Sequence, residues 1–152
     1  MEFFGQLGII LAMGLAGVGS SLGILASGTA AAGAWAKDSK AGKRLAFTYI
    51  ILTAMPMSQT FYGFILMSKM QALPASAIAA NAGLLLAMGL LGGLGEMISA
   101  WGQGKIGAAG CRCLSESDGK GFAFLVINMG IIETIGILTM VLMLVVLGNV
   151  KG

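Results

Sequence analysis

The chain has 152 residues, of which 57% are hydrophobic and only 10% charged, and its mean hydropathy is +0.93. That composition excludes an ordinary soluble domain, and a net charge of +3 held in short connections excludes the basic face of a nucleic-acid binder. There is no His, so the commonest transition-metal ligand and general base is missing.

Four apolar stretches, at about 5–36, 45–68, 77–111 and 121–148, are long enough to cross a bilayer as helices. The N-terminal Met1-Glu2-Phe3-Phe4 lacks the positive n-region of a cleavable signal, so the first helix is expected to be retained. That helix carries Gly8, Ala12, Ala16, Ser20, Gly23, Ser27, Ala30 and Ala34 at steps of three and four. Small residues on one face let helix backbones approach closely. Gly17-Val18-Gly19 and the following residues have the wrong spacing for a dinucleotide loop, and Lys37–Arg44 lacks the first Gly and the Ser/Thr of a phosphate loop.

The first connection holds Lys37, Lys40, Lys43 and Arg44, the third holds Arg112 and Lys120, and the second only Lys69. The Lys/Arg excess predicts the first and third connections in the cytoplasm and both termini outside. The second stretch contains Met55, Ser58, Gln59 and Tyr62 at the i, i+3, i+4, i+7 positions of one helix face. Pro56 within it has no N–H, which frees the carbonyl of Leu52 and predicts a bend.

The third stretch repeats the small-residue face with Gly89, Gly93, Ala100, Gly107 and Gly110, and adds the polar Glu96 and Gln103. Glu96 reads either as a protonated hydrogen bonder in the small-residue packing or as an extra carboxylate that affects ion binding. Cys111 and Cys113 cannot close a zinc site without further ligands, and i, i+2 thiols seldom pair. They read as reduced and incidental. The second and fourth stretches carry bulkier Leu, Ile, Met and Phe suited to lipid, so the expected picture is slim helices inside and bulky ones outside. A closed ring of copies needs that arrangement, because its inner circumference is the smaller.

The fourth stretch has Glu133 near its middle. An acidic side chain there costs about 2.5–3.5 kcal/mol on insertion scales and usually marks an ion or proton path; a protonated carboxyl hydrogen-bonded to a neighbouring helix is the structural alternative. Glu133, Gln59, Gln103, Ser58 and a possible backbone carbonyl loosened by Pro56 offer only oxygen, the donor set of hard cations such as Na⁺. Ordinary interhelical hydrogen bonding is the structural alternative for each of the neutral residues.

The halves read as a tandem repeat. Gly17, Gly19, Gly28 and Ala32 correspond to Gly93, Gly95, Gly104 and Ala108, and past the loop Gly42-Lys43 and Ala46-Phe47 correspond to Gly119-Lys120 and Ala123-Phe124. The expected fold class is an all-α membrane protein of four transmembrane helices, as two tandem hairpins (1–72 and 73–152) that assemble into a ring.

The double hairpin, Pro56-x-x-Gln59-x-x-Tyr62-Gly63-Phe64, Gln103-Gly104-Lys105 and Glu133-Thr134 resemble the K subunit of bacterial V-type ATPases, the proteolipid of the membrane rotor ring, over essentially the whole chain. The resemblance to its sodium-pumping members implies Na⁺ held by the Met55 carbonyl, the Ser58 hydroxyl, the Gln59 and Gln103 amides and the Glu133 carboxylate, with Tyr62 bracing that carboxylate. Ser58 stands where the family has Thr, and no carboxylate occurs near Met57, the rough repeat-mate of Glu133, so one ion per chain is implied. The resemblance also implies a non-catalytic subunit in the cell membrane without cofactor. Its partners would be other copies in the ring, lipid, central-stalk subunits and a membrane stator subunit with a basic side chain. Glu96 departs from the family pattern. A proton-specific rotor and a passive pore or structural assembly are the alternative functions.

Overall fold

The computed structural model describes residues 2–150 and is helical almost throughout. Met1 and residues 151–152, the outermost parts of the two expected hairpins, lie outside the described residues. In chain order the elements are α1 (Glu2–Lys40), α2 (Thr48–Ala54), a 3-10 turn (Met55–Met57), α3 (Ser58–Gln71), α4 (Ala75–Ala80), α5 (Ala82–Glu116) and α6 (Phe122–Leu147). Four helical units, Glu2–Lys40, Thr48–Gln71, Ala82–Glu116 and Phe122–Leu147, are long and apolar enough to span a membrane.

Two of these differ from the expected continuous stretches. The third is interrupted at Asn81 (φ −109°, ψ 23°), which separates α4 from α5. Asn competes with helical backbone by bonding locally, and here the Asn81 side-chain amide donates to the Ala77 carbonyl at 2.9 Å. The second is interrupted at Pro56, where the chain tightens into the 3-10 turn instead of only bending. Proline lacks the N–H for an i→i−4 bond, and an i→i+3 turn absorbs the loss.

The helices α1 and α5 run side by side in the same direction, because successive glycines of α1 meet successively later residues of α5. A Cβ on Gly8 would lie 2.2 Å from the Leu85 carbonyl oxygen, one on Gly19 2.4 Å from Met97 Cα, and one on Gly23 2.4 Å from the Ala100 carbonyl oxygen. The α5 glycines reciprocate, with a Gly89 Cβ falling 1.8 Å from the Gly8 oxygen. No side chain fits in these gaps, so the small residues are there for the backbones to touch. Of the small-residue face of α1, only Ala30 is less than fully buried.

Against this pair lie α2, α3 and α6. The last is the least enclosed, with Met129 and Gly136 its buried residues and Phe124, Ile127, Ile131, Leu138 and Val145 exposed. Exposed bulky aliphatics over the length of a spanning helix are stable in hydrocarbon, not in water. The chain is thus a multi-pass membrane protein with slim packed helices and bulky outer ones.

One end of the bundle is tied by Asp38, which is 4% exposed. Its carboxylate accepts from the Tyr49 hydroxyl and the Ser115 hydroxyl, each at 2.6 Å, joining α1, α2 and α5. Beside it Lys43 donates to the Ser115 carbonyl at 3.3 Å and pairs with Asp118, linking the first and third connections. The Lys43 hydrogen bond and charge hold the Asp118 carboxyl below the usual carboxylate range, so this exposed link is retained above that range and loosens as pH falls through the lowered value. Asp38→Ala leaves two buried hydroxyls without their acceptor and is expected to cost about 2–4 kcal/mol. A denaturation series in detergent, with Lys40→Ala as the exposed control, measures it.

Candidate ion-binding site

The polar face around Glu133 is built from three helices. On α6, Met129, Glu133 and Gly136 share one side through steps of four and three, and that side meets α5 and α3. On α5, Glu96, Ser99 and Gln103 share a face in the same way, and all three are buried. The α3 contribution starts at the Pro56 turn, which delivers Ser58 and Gln59 at the first positions of the new helix.

Glu133 is half-buried, and each carboxylate oxygen has a donor. Tyr62 Oη donates to Oε1 at 3.0 Å and Gln103 Nε2 donates to Oε2 at 3.3 Å. The same Gln103 nitrogen donates to the Met129 carbonyl at 3.2 Å, which orients the amide. Its other end, Gln103 Oε1, is buried with no hydrogen-bond partner. Buried acceptors are normally satisfied, so this oxygen is ready for a donor or a cation.

The remaining expected residues form a second group. Ser58 Oγ lies 3.0 Å from the Met55 carbonyl oxygen and 3.2 Å from Gln59 Oε1. One hydroxyl proton serves one of these acceptors at a time. The Met55 carbonyl also receives the Ser58 backbone N–H, so it is occupied rather than free. Gln59 is fully buried and donates through Nε2 to Ser99 Oγ at 3.1 Å. Ser99 in turn donates to the Ile132 carbonyl at 2.9 Å, one residue before Glu133.

The structure therefore brings Tyr62, Gln103 and Glu133 into direct contact and Met55, Ser58 and Gln59 into another contact group. Ser99 ties Gln59 to the α6 backbone one residue before Glu133, and it was not among the residues singled out from the sequence. Its spacing of three from Glu96 and four from Gln103 is the pattern that could have found it. Glu96 makes no hydrogen bond with either oxygen, so the packing role expected for it through hydrogen bonding is not realised. An open groove beside Glu133 is lined by Phe47, Ile50, Ile51, Met57 and Phe61, leaving the carboxylate at the edge of an apolar surface.

A Tyr62-supported carboxylate gripped by a glutamine amide, on four spanning helices in two similar halves, is an arrangement for holding a charge inside a membrane. The model of the ATP synthase C-subunit family matches this chain twice, over residues 7–68 and 86–146. The chain belongs to that family. Each match takes in one pair of spanning helices, and the chain is a non-catalytic rotor proteolipid of the ATP synthase type.

Among curated proteins, the A-type ATP synthase subunit K of Methanocaldococcus jannaschii is 36% identical over 132 residues, an alignment covering 81% of this chain and 54% of that protein. The chain thus spans about half the length of the relative it matches. The shared family covers the V- and A-type proteolipids together, and carries neither a bacterial origin nor a preference for sodium.

Tyr62→Phe tests the brace on Glu133. Hydrogen bonds to charged groups contribute about 1.5–3 kcal/mol, so the variant is expected to weaken cation binding by roughly tenfold or more. Cation titration of the purified protein, followed by protection of Glu133 from a carboxyl reagent, measures the shift.

Proposed function

We propose that this chain is the rotor-ring proteolipid of a V-type ATPase that binds Na⁺ at Glu133 and carries it across the membrane as ATP hydrolysis on other subunits turns the ring. The observation that carries this reading is the buried, partnerless Gln103 Oε1 on the same amide that grips Glu133. A carboxylate with only two donors, next to an unused amide oxygen and within one helix turn of the Ser58–Gln59 group, offers a cation oxygen ligands and no surplus charge.

In this reading Glu133, Gln103, Gln59, Ser58 and the Met55 carbonyl are the ligands and Tyr62 is the brace. Loading requires the Ser58 hydroxyl proton to turn away from the Met55 carbonyl, which keeps the Ser58 backbone N–H and offers its second lone pair to the cation. An occupied site has no net charge and passes lipid cheaply, whereas an empty ionised Glu133 does not. Emptying then takes place against a stator subunit whose basic side chain competes for Glu133. The hairpins in this reading are 1–72 and 73–152, and the Lys/Arg excess of the first and third connections supports a cytoplasmic side for them, with both termini outside. The bacterial V-type assignment rests on the motifs at Pro56–Phe64 and Gln103–Lys105.

A proton-specific rotor is the second reading, and one contact favours it: Gln103 presents nitrogen, not oxygen, to Glu133. Carbodiimide labelling of Glu133 across a Na⁺ series at fixed pH separates the two. Sodium should protect Glu133 in the first reading. Labelling that follows pH and ignores Na⁺ would establish the second.

A further inference from the structure

Two buried polar side chains remain outside the Glu133 site. Ser20 Oγ and both oxygens of Glu96 have no hydrogen-bond partner, although Glu96 is only 1% exposed. The contact of Gly19 with the Met97 backbone carries α1 past this point, so Ser20 lies at the level of Glu96 along the bundle.

The Glu96 carboxyl leans toward α6, where Gly136 leaves space for it. A Cβ at Gly136 would be 2.7 Å from Glu96 Oε2, 3.1 Å from Ser99 Oγ and 3.4 Å from Gln59 Cγ. Side chains from α3 and α5 thus converge on the place of one absent α6 side chain. Ser99 has given its proton to the Ile132 carbonyl and accepts the Gln59 amide, which leaves one lone pair on its oxygen.

A carboxylate in this position has no protein donor at all, and an isolated buried carboxylate is not stable without a counter-charge or neutralisation. No fixed cation is at hand, because every described Lys and Arg is exposed. The ionisable groups that face this region are Glu133 from α6 and Tyr62 from α3. From α1 comes only the Ser20 hydroxyl. What the cluster lacks is a small positive charge.

We propose that Glu96, set in the cradle left by Gly136, and Ser99, held by the Gln59 amide, form an exchangeable site for a monovalent cation in addition to any ion at Glu133. The site goes beyond the Glu133 reading and does not depend on it, although Gln59 adjoins both. Na⁺ and H⁺ share the chemistry of neutralising a carboxylate among neutral oxygens, and the test tells them apart.

The full-length protein, in the oligomeric state in which it is extracted, is equilibrated with ²²Na⁺, and bound ions are counted per chain for wild type, Glu96→Gln and Glu133→Gln. Infrared difference spectra between acid and alkaline buffer follow the carboxylic C=O bands of the same samples. Two Na⁺ per wild-type chain, one of them lost in Glu96→Gln, supports the site with sodium as occupant. A Na⁺ count unchanged by Glu96→Gln, with a pH-dependent C=O band that this variant removes, supports it with the proton as occupant. A Na⁺ count unchanged by Glu96→Gln, with no pH-dependent band assignable to Glu96, overturns the proposal and leaves a permanently neutral packing residue. Should Glu96→Gln fail to assemble, Ser99→Ala takes its place in the Glu133→Gln background, where a fall in occupancy or a displaced band supports the site and neither overturns it. Failure of the Glu133 reading shows separately, as a Glu133→Gln count and label pattern equal to wild type.

Discussion

Glu133→Gln is expected to abolish Na⁺ transport and the Na⁺-protected labelling of this position together. The substitution keeps the shape of the side chain, and Gln can still accept the Tyr62 hydroxyl. It removes the charge. At an effective dielectric of about 20, opposite unit charges about 4 Å apart attract by about 4 kcal/mol, roughly a thousandfold in affinity. Glu133→Asp keeps the charge but draws the oxygens back from Tyr62 and Gln103, so it should bind more weakly than wild type and far better than Gln. Uptake of ²²Na⁺ into proteoliposomes bearing the assembled ATPase measures all three. Wild-type uptake by Glu133→Gln would remove this residue from the transport path.

The second large effect is expected at the α1–α5 seam. Gly89→Ala places a methyl group 1.8 Å from the Gly8 carbonyl oxygen, and Gly104→Ala places one 2.2 Å from Gly23 Cα and its carbonyl oxygen. Both meet backbone, which cannot rotate aside as a side chain can. Overpacking of this kind typically costs about 1–3 kcal/mol and occasionally more, and here each change also parts helices that are in contact along most of their length. The expected outcome is a marked fall in the unfolding midpoint in detergent, together with loss of ordered oligomer on native gels. Gly14→Ala is the control: its Cβ would meet nothing within 4 Å, and replacing an interior helical Gly by Ala gains about 1 kcal/mol of propensity. Equal behaviour of Gly14→Ala and Gly89→Ala would show that the seam is not tightly packed.

Much of the fold was legible because a membrane solvent leaves few options. Backbone groups in hydrocarbon find partners only in helices or closed barrels, and apolar runs far longer than a barrel strand had to be helices. The periodicity of Gly8, Ala12, Ala16, Ser20 and Gly23 then identified the contact face of α1. The interruptions were harder to read. Asn81 breaks a helix because its amide finds the Ala77 carbonyl, and a single polar residue at the edge of an apolar run does not announce that choice. Pro56 did announce a disturbance, but its resolution into a 3-10 turn depends on α1 and α5 packing around it.

In the site, the resemblance of the motifs singled out Glu133, Gln103 and Tyr62, but it gave Gln103 as an ion ligand and not as the donor to Glu133 that the structure has. Helical spacing states which side chains share a face, not which way an amide turns. Gln59 turned its nitrogen to Ser99, and the Ser58 hydroxyl turned to the Met55 carbonyl. Ser99 escaped notice because serine in a transmembrane helix commonly bonds to its own backbone, as Ser27 does to the Gly23 carbonyl at 2.9 Å. Ser99 instead bonds across to another helix.

The Asp38 junction has a mechanical consequence. A rotor is loaded tangentially, and two parallel helices with smooth glycine faces resist sliding along each other poorly. Moving α1 by one residue relative to α5 displaces it by about 1.5 Å, enough to break the Ser115 bond to Asp38. With Tyr49 gripping the other oxygen of the same carboxylate, shear at that end is passed on to the first two helices and α5 together.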